Sequence, residues 1–569
     1  MITPKPLKPY VHPQTVVGKI AAKDLAGLKV LFINMPLRES ARPNCLPNGV
    51  CLLAAQLEKY NVEPLIVDLN AYRLKENGRQ RGLSEEEMQK LLMKYFSKYG
   101  DQDLILLSGM ITTLKWQERA AKFIRRHQPH AFLVSGNGLA TEFKGGLFNW
   151  IPELDGVGHS EGDLSIIKIA FDAAKIKEHG FQTALQRGCL EPYHIGEHLG
   201  RHRFIYDGGR PSSLDDVPLP DYELLREDIN GYPVLENYLQ NEIWGITANN
   251  SSATPFTMRR SINTISSRGC PYACKYCYRG ATGERNYGVR AADRLGAELE
   301  FYHTKYGVDF VGILDDNFLV QRNRIAQLPG ELKGFVERSG LRWGTHGRLD
   351  EAADLRPNGN GKSVKHNTLR VDQMAQAGCV YIGFGAESAD KRSLEYMGKG
   401  GFILANGTEK INGWEFPVTM IEGIKNTKHA GIHANCTWIM GYPGETLEML
   451  KTSVAFIKWQ EEFYSQFGDR PDSVNKNMFV ATAYPGTEMF GHPAVKKQLH
   501  ENFGIAYDEE NNPICDENLH YYVLELDDAT KVMHDQSGQP LNFGKMPMDQ
   551  FLRAREHIAS GQIYKILDM

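Results

Sequence analysis

The chain has 569 residues, with 65 Lys and Arg against 69 Asp and Glu and a formal net charge of −4. This length exceeds one ordinary core, so two or three domains are expected, and the near balance of charge gives no field that would select nucleic acid or an anionic membrane. The opening MITPKPLKPYVHPQ places prolines where a secretory signal needs an apolar run, and no later apolar run reaches the roughly 18 residues needed to span a bilayer; a cytoplasmic protein without a membrane partner is expected.

After an N-terminal extension (1–24), LKVLFINMP (28–36) reads as a strand buried on both faces. GVCLLAAQLEKYN (49–61) has helical apolar spacing, and VEPLIVDLN, DLILLSGM (103–110) and AFLVSG (131–136) continue the alternation. Strands alternating with helices imply a parallel, doubly wound, Rossmann-like α/β domain over 25–204. Its Gly-rich turns SGNGLATEF and GVGHSEGD would lie at strand carboxyl ends, where such sheets bind ligands; both also read as plain tight turns.

A turn-rich connector follows (205–255), with GGRPSSLDDVPLPDYELL at its start. A second alternating array then runs through NTISSRG (263–269), VDFVGILDD, LRWGTHGR, CVYIGFGAES, HANCTWIMGYPGE and NKNMFVATAYPGT. Six strand-helix units over 256–490 suggest an open, partial (β/α)6 barrel. The C-terminal extension (491–569) holds a possible strand, HYYVLEL, and an amphipathic segment, PMDQFLRAREHIASG.

Of nine cysteines, Cys270, Cys274 and Cys277 cluster at ligand spacing, within SRGCPYACKYCYRG at the end of the first barrel strand. Structural zinc is normally closed by four ligands, and only a remote residue such as His303 or Cys515 would complete such a site. An iron-sulfur cluster held by three thiolates would instead keep one iron open. Cys379 and Cys436 stand in apolar strand contexts and read as core thiols; Cys45, Cys51, Cys189 and Cys515 lack ligand spacing.

The CxxxCxxC pattern, with aromatic Tyr276 before the last cysteine, resembles the signature of the radical S-adenosylmethionine (SAM) superfamily. The resemblance implies a [4Fe-4S] cluster on the three thiolates, SAM chelated by the open iron, and Tyr276 against the adenine. YIGFGAESADKRSLEYMGKG (381–400) resembles the family's fourth-strand segment, placing Glu387 and Ser388 beside SAM. WIMGYPGET brings Gly441 and AYPGT brings Tyr484, in turns where backbone would approach SAM. Arg348 faces the same rim and suits a carboxylate, with an ion pair as its structural reading; Asp315 and Asp316 read as substrate-facing or as caps.

Residues of about 25–200 resemble the cobalamin-binding domain that precedes the barrel in one radical SAM subgroup, through KVLFINMP, DLILLSGM, HAFLVSGNGLAT, LDGVGHSEGD and LDDVPLPDYELL. The DxHxxG motif of cobalamin ligation is absent, and Leu139 stands where histidine is common. The resemblance implies cobalamin-dependent methylation of an unactivated centre in a small-molecule biosynthetic intermediate, with a reducing donor such as flavodoxin or ferredoxin. Two alternatives stand beside it. One is a cobalamin-independent radical SAM enzyme that transfers a 3-amino-3-carboxypropyl group or catalyses cyclisation or rearrangement. The other is a zinc-binding nucleotide- or RNA-binding protein, which the lack of basic clusters argues against.

Overall fold

The structure, a computed structural model, describes residues 17–37, 45–209, 211–240, 258–278, 287–357, 363–470, 473–527 and 532–569. Two compact units emerge: Met1–Tyr238 with Gly280–Gly283 and Phe503–Lys531, and Leu239–Arg279 with Glu284–Asn502 and Val532–Met569.

In the first unit, apolar runs form β1 (Val30–Asn34), β2 (Leu65–Asp68), β3 (Leu104–Ser108), β4 (Phe132–Gly136) and β5 (Gly156–His159), followed by β6 (His194–His198) and β7 (Arg201–Asp207). The sheet order is β2-β1-β3-β4-β5-β7-β6, with every pair parallel except β6 with β7. Helices between the strands, such as α1 (Asn48–Glu58), α2 (Glu85–Tyr99), α3 (Leu114–His127) and α4 (Gly162–His179), cover the sheet, so Leu31, Phe32, Ile33, Ile105 and Leu133 are buried. The chain leaves β1 toward β2 and returns across it to β3. The topological switch point therefore lies at the carboxyl ends of β1 and β3.

Two expectations change in this unit. The stretch expected as a loose connector is packed where it is described: the Tyr222 hydroxyl donates to Asn48 Oδ1 at 2.8 Å, the Tyr238 hydroxyl to Asp68 Oδ2 at 2.6 Å, and the Tyr72 and Tyr232 rings stack at 4.6 Å. The expected strand HYYVLEL (520–526) is helical up to Glu525, as part of the helix Glu517–Glu525. Asp516 caps it by accepting from the Asn518 and Leu519 amides, and Leu519, Tyr522 and Val523 recur at helical spacing to bury one face. Its His520 ring lies 5.3 Å from that of Trp150 and pairs with Glu118.

The second unit is a six-stranded sheet of β8 (Ser261–Thr264), β9 (Phe310–Ile313), β10 (Arg342–Gly347), β11 (Cys379–Glu387), β12 (His433–Met440) and β13 (Met478–Val480). The strands pair in chain order and all in parallel, which makes a partial barrel with β8 and β13 at its edges. Its covering helices include α5 (Ala292–Tyr306), α6 (Arg322–Ser339), α7 (Arg370–Gln376), α8 (Val418–His429) and α9 (Leu447–Ser465). Side chains alternate across each strand. On β12, Trp438 points outward to Phe456 of α9, at 5.8 Å between rings, whereas the Asn435 amide donates inward to the Tyr381 hydroxyl at 2.5 Å. Met258, Phe310 and Tyr381 fill the floor of the interior. The terminal helix α10 (Met548–Ala559) joins this unit, burying Phe551. Among the described residues, no helix is long and apolar enough to cross a membrane.

Candidate radical SAM site

The cysteine loop leaves the carboxyl end of β8 and is held at its root by Asp315. That buried carboxylate accepts from the Ser266 amide at 2.6 Å, the Ser266 hydroxyl at 2.7 Å and the Ser267 amide at 2.8 Å, while Arg324 donates to Ser266 Oγ at 2.6 Å. Asp315 is thus a fastening between β8 and β9. Its neighbour Asp316 is exposed, and its charge reaches Cys270 and Cys277.

Farther along, the Lys275 amide donates to Met397 O at 2.9 Å and the Met489 amide to Lys275 O at 2.8 Å. The loop is therefore tied to the segments that follow β11 and β13. Gly398 permits this closeness: its φ is +68°, and a Cβ there would stand 3.0 Å from Ala273 O.

Cys274 is buried and Cys270 half-buried. Cys277 is exposed by area, yet burial of its sulfur, ahead of the nearby Cys274 and Asp316 charges, pushes its thiol up to about 12. Burial likewise raises the Cys270 thiol. Among the described residues, no three His, Cys, Asp or Glu side chains converge on a single cation position. What the loop presents is three thiols, soft donors that fit an iron-sulfur cluster by their chemistry.

Around the thiols, the structure gathers several of the residues singled out in the sequence. The Tyr276 hydroxyl donates to Glu387 Oε1 at 3.2 Å. Glu387 sits at a bulge ending β11 with φ +65°, and burial raises its carboxyl against the opposing pull of Lys399. Arg348 points at Cys274, Nη1 to Sγ 3.5 Å, while Nε and Nη2 donate to Asp350 at 3.0 and 3.1 Å.

Other expected residues are committed to structure. Ser388 is fully buried, its hydroxyl 3.1 Å from that of Ser453 and accepting from the Asp390 amide at 3.1 Å. The Gly441 amide donates to Glu445 Oε2 at 2.6 Å; its φ is +75°, and a Cβ would meet Phe551 at 2.9 Å. The Tyr484 carbonyl accepts from the Thr487 hydroxyl at 2.7 Å, closing a turn.

Four residues escaped the sequence reading. Lys399 is almost completely buried, 3.4 Å from the Tyr276 hydroxyl and 3.7 Å from Glu387 Oε1. A lysine between two glycines in YMGKG was its only trace. Glu445, in PGET, is buried and pushed up to about 8 by desolvation, with Oε1 unpartnered. Tyr272 and Asp350 flank Arg348, and only adjacency in sequence marks them.

In the first unit, the switch point is bordered by Ser108, Gly109 and exposed Met110. Leu139 is buried in the core, and His159 at the end of β5 is paired with Asp207. The nearby Asn137 and Ser160 adopt left-handed backbone. Part of LRESARPNCLPNG, after β1, lies outside the described residues.

Residues 264–457 match the Radical SAM superfamily, so the chain carries a radical SAM domain. A similar curated protein is the uncharacterized methyltransferase PH0819 of Pyrococcus horikoshii, 23% identical over 480 residues, covering 83% of this chain and 84% of that one. Similar solved structures include the cobalamin-dependent SAM radical enzyme OxsB with aqua-cobalamin bound, at TM-score 0.53 and 15% identity over 76% of this chain. The match spans about half of OxsB, 52%. Another is the radical SAM methyltransferase TsrM from Kitasatospora setae with cobalamin and [4Fe-4S] cluster bound, at TM-score 0.52 and 15% identity over 90% of this chain and 82% of that one.

Proposed function

We propose that this protein is a radical SAM enzyme that methylates an unactivated centre in a small-molecule biosynthetic intermediate, with cobalamin as methyl carrier. The observation that carries the reading is the three-thiol loop at the carboxyl end of β8, inside the matched domain and facing Tyr276, Glu387 and Arg348. The likeness to PH0819, named a methyltransferase, and to OxsB and TsrM, whose structures hold cobalamin, supports the choice of reaction.

Cys270, Cys274 and Cys277 would hold a [4Fe-4S] cluster whose open iron takes the amino and carboxylate groups of SAM. Bound there, the cluster would supply one electron for reductive cleavage of a carbon-sulfur bond of SAM. The chain's own residues then position SAM. Tyr276 lines the adenine side, and Glu387 accepts from the ribose or amino group, its direction fixed by Lys399 and Tyr276. The Gly441 and Tyr484 turns bring backbone to the rim, and Ser388 anchors the end of β11. Asp316, exposed beside the thiols, would face a substrate.

The Rossmann-like domain, 25–204, would take the corrinoid at the switch point of its sheet. The described residues there suit a cobalamin held by shape and backbone contacts: Leu139 is committed to the core and His159 to Asp207. The barrel, 256–490, takes its electron from a low-potential cytoplasmic donor such as flavodoxin or ferredoxin, and the flanking segments 1–24, 205–255 and 491–569 complete the chain.

Metal analysis of anaerobically reconstituted protein tests this reading. About four irons and four sulfides per chain, with cobalamin retained through gel filtration, are expected. Zinc without iron or sulfide would contradict it.

A further inference from the structure

Arg348 is fixed on three sides. Nε and Nη2 form a two-bond fork with Asp350 at 3.0 and 3.1 Å, the guanidinium carbon lies 4.0 Å from the centre of the Tyr272 ring, and Nη1 stands 3.5 Å from Cys274 Sγ. Tyr272 is held in turn, its hydroxyl donating to Glu351 Oε1 at 2.7 Å. Arg348 as a whole is only 6% exposed. Asp350 already occupies the Nε/Nη2 edge, one of the guanidinium edges at which a carboxylate such as that of SAM forms a two-bond fork. Nη1, outside that fork, is directed to the sulfur.

We infer that Arg348 is a positioning residue that hydrogen-bonds the Cys274 thiolate and raises the reduction potential of the cluster it ligates. The inference rests on the proposed [4Fe-4S] site. Reduction takes one electron from a low-potential reductant and adds one negative charge to the cluster, with no bond or proton exchanged. A fixed cation donating to a ligand sulfur stabilises the more negative state, and little surrounding water screens it. Tyr272 and Asp350 hold the guanidinium in place, so the hydrogen bond needs no reorganisation when the electron arrives.

The test uses full-length protein, reconstituted anaerobically, without SAM. Iron and sulfide are counted, and the midpoint potential is followed by electron paramagnetic resonance during a dithionite titration. Arg348→Met keeps the length of the side chain and removes its charge and donors. With the cluster present, its ratio of reduced to oxidised cluster at a fixed poise should fall about tenfold, or about 59 mV for a one-electron couple. Arg348→Lys keeps the charge and loses the two-bond fork, and should shift it less and in the same direction. If Arg348→Met loses iron, a lowered potential in iron-replete Arg348→Lys still supports the inference. An unchanged potential with the cluster in place, with or without weakened SAM binding, overturns it, as does loss of iron from both variants. Absence of iron from the wild-type protein would instead defeat the underlying assignment of the site.

Discussion

Buried carboxylates make the sharpest residue-scale predictions. Glu445 has an ordinary value of 4.5 and is pushed up to about 8 by burial. The folded chain therefore binds more protons than the unfolded chain between these limits. This contribution to stability is fully present below about pH 4.5 and is lost as pH rises through about 8. Glu445→Gln should keep the bond to the Gly441 amide and flatten that slope, gaining a few kcal/mol over wild type at pH 9, of order 1.4 kcal/mol for each pKa unit. Thermal unfolding at pH 6 and 9 measures it; parallel curves for both proteins would contradict the assignment. At Glu387, replacement by Gln removes a charged acceptor worth roughly 1.5–3 kcal/mol. SAM affinity should fall about tenfold or more in anaerobic calorimetry, with iron content unchanged. The cysteine triad stood out in the sequence because its members fall within eight positions, at a spacing that itself suggests ligation. The commitments of Asp315 to Ser266, of Ser388 to Ser453 and of Arg348 to Asp350 did not, because each depends on which side chain the folded rim brings opposite.

Among the elements, β1–β5 and β8–β13 were readable from the sequence, since parallel strands covered on both faces leave an apolar signature, whereas β6 and β7 (HIGEH and RHRFIYD) are too polar to show one. The segment HYYVLEL misled for a physical reason. Its aromatic and β-branched residues favour a strand locally, whereas the Asp516 cap and the buried Leu519, Tyr522 and Val523 stripe favour the helix that forms. Asp516→Ala should destabilise that helix by about 1 kcal/mol. Amide exchange confined to residues 517–525 should quicken accordingly; unchanged protection would show that the cap contributes nothing. The connector misled in the opposite sense, because prolines and aspartates signalled turns while its tyrosines supplied the packing that orders them.

For the whole molecule, the succession of a Rossmann-like sheet and a partial barrel followed from the order of strands along the chain. The division of the C-terminal region did not: Phe503–Lys531 groups with the first unit and Val532–Met569 with the second. Only long-range contacts, such as His520 with Trp150 and Tyr564 with Lys476 at 5.1 Å, decide that assignment, and no local pattern encodes them. The proposed reaction belongs to this scale as well, since it would join the chemistry of the barrel to a methyl carrier. The direct measurement is the product distribution from SAM, by mass spectrometry, for reconstituted wild-type and Cys274→Ala proteins given dithionite, with and without cobalamin. Wild type should yield 5'-deoxyadenosine, accompanied by S-adenosylhomocysteine when cobalamin is supplied, and Cys274→Ala should yield neither. Methylthioadenosine as the sole product of wild type, or 5'-deoxyadenosine persisting in Cys274→Ala, would contradict the account.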